Sequence, residues 1–214
     1  MTKKQERAAE IVSHLRRMYP KAKCSLDFTT PFELLIATML SAQSTDARVN
    51  IVTRSLFRKY PGPEAFAGAG QVEMERDVRQ TGFFRNKARA VIAASRAIVE
   101  NHGGEVPRTM EELTALPGVG RKTANVVLAN AFKTAAGIVV DTHVARVSGR
   151  LGLTSHFDPE KIEHDLMKLI PPKEWTSFSH RLIEHGRTLC VARKPKCREC
   201  LLNELCPSAE EPLE

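Results

Sequence analysis

The sequence predicts an all-α fold, and three observations lead to this prediction. Apolar residues recur at helical spacing along most of the chain, and residues typical of helix starts and helix ends separate these segments. No pair of alternating apolar segments is joined by a hairpin turn. Residues 137–140, "GIVV", are a short extended candidate. The chain shows no internal repeat and no low-complexity linker, so the pattern alone does not fix a domain boundary.

In the first half of the chain, apolar spacing and capping signals predict a series of helices. The first covers residues 5–18, whose apolar residues share one face and are followed by Pro20. The segment "TPFE", residues 30–33, has the spacing of a capping box with Pro31 at the first helical position. The run after it is apolar nearly all round, which indicates a central buried helix. Further helices are expected over residues 46–59, 71–80 and 85–101.

The second half continues with shorter helices. The segment "TMEE", residues 109–112, opens a helix that stops at Leu116. Asp158 and Pro159 mark the start of another helix, as N-cap and first helical residue. Residues 174–189 carry apolar side chains on one face and form the last predicted helix.

Length, composition and charge narrow the class of protein. The 214 residues suffice for one large domain or two small ones with a buried core. The start of the chain lacks an apolar export signal, and no apolar run approaches the roughly 18 residues that span a bilayer. We therefore expect an intracellular protein with reduced thiols and no membrane partner. The net charge of +7 suits a polyanionic partner without identifying one.

A glycine-rich turn, Gly118-Val119-Gly120, lies between two helical patterns. It does not follow a strand, so it is not a dinucleotide fingerprint, and Arg121 interrupts a Walker loop. The pattern predicts a helix, a tight turn and a second helix. Backbone N–H groups left bare by the glycines, beside a helix N-terminus, can bind a DNA phosphate without reading sequence. A hairpin that merely packs is the alternative.

Lys122 lies in the first turn of the helix after this hairpin, where a lysine is unfavourable. An ordinary lysine amine, with a pKa of about 10.4, is almost entirely protonated at pH 7 and is a poor nucleophile. Burial can lower the pKa of an amine by several units, whereas the helix dipole contributes less. A nucleophilic Lys122 therefore requires a desolvated pocket. The alternative is a surface lysine that contacts phosphate.

Asp141 follows the apolar run at residues 137–140 and begins a new helix. Its simplest interpretation is an N-cap, with a carboxylate oxygen bound to backbone N–H groups. The same carboxylate, held ionised, can stabilise a cationic sugar transition state or move protons. His143 lies in the same turn, and we interpret it as a packed or solvated residue without a catalytic role.

The C-terminal region contains four cysteines with the spacing C-x6-C-x2-C-x5-C, while the fifth, Cys24, is remote. Four cysteines so close together in an intracellular chain predict a tetrahedral metal centre, either iron–sulfur or zinc. The loop between the first two holds three basic residues suited to phosphate contact. The cysteines are Cys190, Cys197, Cys200 and Cys206, and the basic residues are Arg193, Lys194 and Lys196.

Taken together, the hairpin "LPGVGRKTANVV", the segment "VDTHVARV" and the cysteine spacing resemble the endonuclease III family of the helix-hairpin-helix DNA glycosylase superfamily. The resemblance covers nearly the whole chain, including "FELLIATMLSAQSTD" and "GEVP". It implies two α-helical domains with DNA across the cleft between them. One is a six-helix barrel domain over residues 23–135, with the helix-hairpin-helix at about 109–133. The other is an iron–sulfur cluster domain formed from residues 1–22 and 136–214.

The resemblance also implies a [4Fe–4S] cluster on the four cysteines and a bifunctional DNA glycosylase with AP lyase activity. A damaged pyrimidine is extruded, Lys122 attacks the sugar carbon C1′, a Schiff base forms, and β-elimination cuts the strand, with help from Asp141. The partner is double-stranded DNA with oxidised or otherwise damaged pyrimidines or abasic sites, and the enzyme is a monomer in the cytoplasm, associated with the nucleoid of a bacterial-type cell. The expected DNA-binding residues are Gln43, Phe83, Gly118, Val119, Gly120, Arg121, Arg193, Lys194 and Lys196.

One residue departs from the family pattern, because Phe83 stands where the family usually has an aliphatic wedge after a glycine. Three rival functions remain. A monofunctional adenine-mismatch glycosylase lacks the lysine, has a catalytic glutamate where this chain has Ala37, and carries a further domain for which we expect no room here. A non-catalytic iron–sulfur DNA-binding module, or a zinc-stabilised structural protein, performs no chemistry.

Overall fold

The computed structural model describes residues 2–209, and all regular structure in that range is helical. The all-α prediction is confirmed. Residues 137–140, the extended candidate, are buried but form no strand, because no neighbouring segment pairs with them in the described range. Within the same range, no helix combines the length and the apolar character needed to cross a membrane.

The α-helices are, in chain order, α1 (Lys3–Met18), α2 (Pro31–Leu40), α3 (Asp46–Lys59), α4 (Pro63–Ala67), α5 (Gln71–Val78), α6 (Phe84–His102), α7 (Met110–Ala115), α8 (Arg121–Asn130), α9 (Thr142–Arg150), α10 (Pro159–Leu169) and α11 (Trp175–Thr188). Short 3-10 turns cover Arg79–Thr81, Pro172–Glu174, Cys197–Glu199 and Asn203–Leu205.

The chain divides into two compact units. The central unit is Cys24–Ala136 and contains α2 to α8. The terminal unit is Met1–Lys23 with Gly137–Glu214, and the structure describes its residues 2–23 and 137–209. Each unit has its own cluster of buried apolar side chains.

Helix α2 is the core of the central unit, packed against α3, α6 and α8. Every residue from Phe32 to Leu40 except Glu33 is buried, as the apolar run predicts. Thr30 caps the helix and Pro31 follows at its first position. The predicted capping box is incomplete, however. Glu33 accepts hydrogen bonds from the backbone and the hydroxyl (2.7 Å) of Thr29 instead of the Thr30 N–H, because Thr29 offers two donors.

The terminal unit joins the first helix to the last part of the chain. Helix α1 packs against α10 and α11, and α11 packs against α9. The Arg7 guanidinium donates hydrogen bonds to the carbonyls of Leu151 (2.6 Å), Leu205 (2.9 Å) and Gly152 (3.1 Å). Buried Ile11 belongs to the same apolar cluster as residues of α9, α10 and α11.

Helix boundaries follow the sequence signals where a cap is present. The predicted helix over residues 46–59 is observed over the same range, with Thr45 as its N-cap. The helix predicted over residues 71–80 is α-helical only to Val78 and continues as a 3-10 turn. Helix α4 was not predicted, since its five residues lie between glycines and have no capping side chain.

Candidate functional site

The predicted hairpin connects α7 to α8 through the turn at residues 116–120. The Val119 N–H donates to the Leu116 carbonyl (3.1 Å), which closes the turn. Gly118 has a φ of +75°, and a Cβ at this position would lie 2.8 Å from the Cβ of Ala90. Glycine is therefore required at residue 118 both by its left-handed conformation and by the close approach of α6.

The start of α8 is open to a ligand. Gly120 is its N-cap, and no side chain caps the helix. A Cβ added at Gly120 would meet nothing within 4 Å. The first N–H groups of a helix have no intrahelical partner, so this end can bind an anion. The Val119 side chain is only 6% exposed, so a DNA contact from residue 119 would come from its backbone.

Lys122 is the second residue of α8, and its side chain is exposed. The buried residues of this helix start at Ala124, two residues after Lys122, and include Leu128. The desolvated pocket that a nucleophilic lysine requires is thus not formed around Lys122 within residues 2–209.

Asp141 caps α9 with one carboxylate oxygen. Its Oδ1 accepts hydrogen bonds from the N–H groups of His143 and Val144, both at 2.8 Å. In the described part of the chain Oδ2 takes no hydrogen bond, and the residue is half-buried. The predicted cap is confirmed, and one oxygen remains available for other chemistry.

His143 is held by packing, which agrees with its exclusion from the predicted site. Its Nδ1 lies 3.2 Å from Nη2 of Arg146. A Cβ added at buried Gly186 of α11 would lie 3.0 Å from the Cβ of His143. The ring therefore fills the contact between α9 and α11.

Gln43 and Phe83 share an unusual backbone conformation. Their φ angles are +53° and +45°, in the left-handed region that non-glycine residues seldom adopt. Gln43 is exposed in the α2–α3 connection, and Phe83 is 62% exposed immediately before α6. The neighbouring Phe84 is half-buried against the central core, and the guanidinium groups of Arg79 and Arg85 lie near its ring. Phe84 is thus an anchor, and Phe83 is the phenylalanine presented to solvent.

The four cysteines of the C-terminal region line one cavity of about 350 Å³ of atom-free space, part of it open to solvent. Cys190 follows α11, and the other three lie in or directly after the last two 3-10 turns. The rest of the lining is largely apolar and includes Leu151, Leu189 and Leu202. Cys24 lies in the central unit, outside this group.

The donors around this cavity suit thiolate ligands. Nη1 of Arg150 lies 3.4 Å from the Cys190 sulfur, and the Leu202 N–H lies 3.4 Å from the Cys200 sulfur. Nε2 of His185 lies 3.7 Å from the Cys200 sulfur. Hydrogen bonds to sulfur and an apolar surround are the usual setting of iron–sulfur ligands.

Burial raises the pKa of the Cys200 and Cys206 thiols, and the charges of neighbouring cysteines raise it further. The thiolate forms of these two cysteines are therefore disfavoured without a compensating cation. No three His, Cys, Asp or Glu side chains of residues 2–209 are placed to share a single metal ion.

The basic loop, residues 191–196, is held at its base while its charges face solvent. Arg150 donates to the carbonyls of Val191 (2.8 Å) and Ala192 (3.0 Å), and the Lys196 N–H donates to the Leu189 carbonyl (3.0 Å). The three exposed basic side chains of this loop are Arg193, Lys194 and Lys196.

Sequence reasoning missed two arginines of α9. Arg146 donates to the carbonyls of Gly186 (2.8 Å) and Cys190 (3.1 Å), and Arg150 holds the basic loop. Their spacing of four residues places both on one face of the helix that begins at Asp141, which is the signal available in the sequence. Helix α9 thus links Asp141 to the cysteine group inside the terminal unit, whereas Gln43, Phe83 and the hairpin belong to the central unit.

Comparisons with known proteins add to this geometry. The family described as "HhH-GPD superfamily base excision DNA repair protein" matches residues 36–172. The endonuclease III of Synechocystis sp. is 58% identical over 210 residues, 98% of this chain and 96% of its own length. That of Escherichia coli K12 is 42% identical over 202 residues, 94% of this chain and 95% of its own.

Two solved structures resemble the chain over almost its whole length. One is a non-covalent endonuclease III–DNA complex, with a TM-score of 0.92, 46% identity and coverage of 98% of this chain and 97% of the other. The second is a trapped endonuclease III–DNA covalent intermediate, again with a TM-score of 0.92 and 46% identity, covering 98% of each chain.

Proposed function

The chain belongs to the HhH-GPD superfamily of base excision DNA repair proteins and, within it, to the endonuclease III family, and from this premise we propose how its residues carry out the reaction. The protein is a bifunctional DNA glycosylase with AP lyase activity. The observation that carries the residue assignment is the start of α8, where exposed Lys122 stands beside uncapped N–H groups. A phosphate bound to those groups would hold the DNA strand next to the amine.

Lys122 is the nucleophile of this proposal. Its amine forms a bond to the sugar carbon C1′ as the C1′–N bond breaks, and the base leaves with the bonding electrons and a proton. Opening of the sugar ring gives a Schiff base between Nζ and C1′. Loss of a proton from C2′ then expels the 3′ phosphate and cuts the strand. Because Lys122 is exposed in the free protein, the extruded nucleotide must desolvate it.

Asp141 assists both steps through its second oxygen. Since Oδ1 is occupied by the α9 cap, Oδ2 is the atom that stabilises the cationic sugar and accepts protons. The capping bonds fix the plane of the carboxylate, so the group needs no reorganisation during the reaction.

The substrate of this proposal is double-stranded DNA that contains oxidised or otherwise damaged pyrimidines or abasic sites. Gln43 and Phe83 enter the space left by the extruded nucleotide, which their exposure favours. Phosphates are held by Gly118, Val119, Gly120 and Arg121 of the hairpin and by Arg193, Lys194 and Lys196 of the basic loop. The enzyme acts as a monomer in the cytoplasm, associated with the nucleoid of a bacterial-type cell.

A [4Fe–4S] cluster completes the terminal unit in this proposal, with Cys190, Cys197, Cys200 and Cys206 as ligands. When bound, such a cluster would tie Cys190, at the end of α11, to the three cysteines of the last segment through iron–sulfur bonds, and no step of the reaction passes through it. The proposal has a six-helix barrel domain over residues 23–135 and a cluster domain over residues 1–22 and 136–214. The division of the chain into the central and terminal units supports these bounds to within one residue.

Borohydride trapping tests the nucleophile. We expect the wild-type protein to form a covalent adduct with a duplex that carries an oxidised pyrimidine, and Lys122→Gln to form none. Lys133→Gln is the matched control, because Lys133 is also exposed but lies just after the opposite end of α8. Base release by wild type without an adduct would instead indicate a monofunctional glycosylase. Binding without base release or cleavage would indicate a DNA-binding module without chemistry.

A further inference from the structure

Lys87 of α6 is a buried lysine whose amine bonds backbone carbonyls. Its side chain is 7% exposed, and burial lowers its pKa. Nζ donates hydrogen bonds to the carbonyls of Leu40 (2.8 Å) and Thr81 (2.6 Å). No carboxylate of residues 2–209 forms an ion pair with it. Buried lysines are rare and costly, so the chain retains this one for a reason other than general packing.

The two carbonyls bound by Lys87 close two separate segments. Leu40 is the last residue of α2, and Thr81 is the last residue of the 3-10 turn before α6. The chain reaches Gln43 shortly after the first and Phe83 shortly after the second. The backbone N–H of Lys87 also donates to the Phe83 carbonyl (3.1 Å). One residue is thus bonded to the start of both loops.

We propose that Lys87 is a positioning residue that fixes the Gln43 loop and the Phe83 loop relative to each other for insertion into the duplex. This inference rests on the proposed function, which assigns Gln43 and Phe83 to DNA. An ammonium is compact and has several donors, so it can bond carbonyls of two elements at once, and its charge suits the negative end of α2.

The left-handed conformations of the two loop residues explain why such a tie is needed. A non-glycine residue at φ +53° or +45° persists only where the surrounding structure fixes it. Both residues are exposed, so their own side chains supply little of that constraint. The bonds from Lys87 lie just before them, in the buried part of each loop.

Lys87→Met tests this role, because it keeps much of the apolar length and removes the charge and the donors. We expect excision from a duplex with an oxidised pyrimidine to fall by about tenfold or more, since misplacement of inserting groups by about 1 Å has costs of that order. Borohydride trapping on a single-stranded abasic oligonucleotide should stay within about twofold of wild type, because that substrate has no gap in a duplex to fill. When wild type binds the duplex, the fluorescence of a 2-aminopurine placed beside the lesion should rise, and this rise should be lost with Lys87→Met.

Ile98→Val is the matched control. Ile98 is fully buried on the same helix, and its shortening destabilises the central unit without touching either loop. It should leave the ratio of duplex to single-strand activity unchanged. Hydrogen exchange should become faster at residues 41–45 and 81–84 in Lys87→Met and remain unchanged there in Ile98→Val. If Lys87→Met does not fold, Lys87→Gln, which keeps one donor group, should lower the same ratio by a smaller factor.

Equal losses on both substrates, or an unchanged ratio in the Lys87 variants, would overturn the proposal. Failure of the proposed function gives a different result, namely no adduct with wild type on either substrate.

Discussion

At residue 141 a single carboxylate serves the helix with one oxygen and leaves the other without a bond in the described structure. The cap and the proposed catalytic role are therefore separable at this residue, because an amide can replace the first but not the second. Asparagine caps helices about as well as aspartate, yet it carries no charge and accepts no proton at its nitrogen.

We predict that Asp141→Asn changes the free energy of unfolding by less than about 1 kcal/mol. Excision of an oxidised pyrimidine should fall about 10²–10⁴-fold, the usual contribution of a positioned acid or base. Urea unfolding and single-turnover kinetics measure the two quantities. Asp158→Asn is the control, since Asp158 caps α10 in the same way through the Lys161 N–H (3.0 Å). A parallel loss of stability and activity in Asp141→Asn would show that only the cap matters.

The two glycines of the hairpin should respond differently to alanine. Gly118→Ala should lower the free energy of unfolding by about 2–4 kcal/mol, because it combines a left-handed φ with a contact at 2.8 Å. Gly120→Ala should lower it by less than about 1 kcal/mol, since its Cβ would face open space. Gly120 is the N-cap of the helix end that we propose to bind a phosphate, and the methyl group of alanine would obstruct that end. The DNA dissociation constant should therefore rise about tenfold, which is the equivalent of one charged hydrogen bond. Unchanged DNA binding by Gly120→Ala would show that no DNA phosphate binds at the start of α8.

The lysines of this chain have different roles, and sequence reasoning distinguished them only in part. Lys122 stands out because it follows a glycine turn at a helix start. Lys87 has no such signal, since its partners are backbone carbonyls that lie close only after α2 and α6 have packed. General chemistry predicted that a nucleophilic lysine needs a desolvated pocket. The sequence did not show what forms that pocket, and in the free protein Lys122 is exposed.

Among the elements, helices with a capping residue and an apolar face were predicted well. Thr30, Thr109, Asp141 and Asp158, which the sequence marks as helix starts, each cap the helix that follows. Helix α4 and the short 3-10 turns escaped prediction, because they are too short to show a period. The run at residues 137–140 has the composition of a strand. Whether such a run forms a strand depends on tertiary contacts, because they decide whether a neighbouring segment pairs with it.

In the proposed function the four cysteines of the terminal unit bind an iron–sulfur cluster, so the order of their segment should depend on metal. We predict that Cys197→Ser loses bound iron, measured by iron and sulfide analysis and by visible absorbance. Detachment of the basic loop should reduce the salt dependence of DNA binding, with the log–log slope falling by about 0.9 for each lost phosphate contact. Cys24→Ser, in the central unit, should keep full iron content. Equal iron in both variants would contradict the assigned ligand set.

At the scale of the whole molecule, the terminal unit depends on residues that are remote in sequence. Arg7→Met should lower the stability of this unit by about 3 kcal/mol, because it removes charged hydrogen bonds to three carbonyls. Hydrogen exchange should become faster in α1 and residues 151–152 and stay unchanged in α2 and α6. Arg17→Met, an exposed change on the same helix, should have no such effect. Faster exchange throughout the central unit would show that the two units unfold together.

The order of synthesis has a consequence for the terminal unit, in which the early helix α1 packs against the late helix α11. Helix α1 is synthesised well before its packing partner α11, which ends at Thr188. At typical elongation rates of 5–20 residues per second, α1 waits about 8–30 s for this partner. The central unit, complete by Ala136, can fold during that interval. Until Thr188 has been synthesised, the apolar face of α1 around Ile11 and Leu15 therefore lacks its α11 partner.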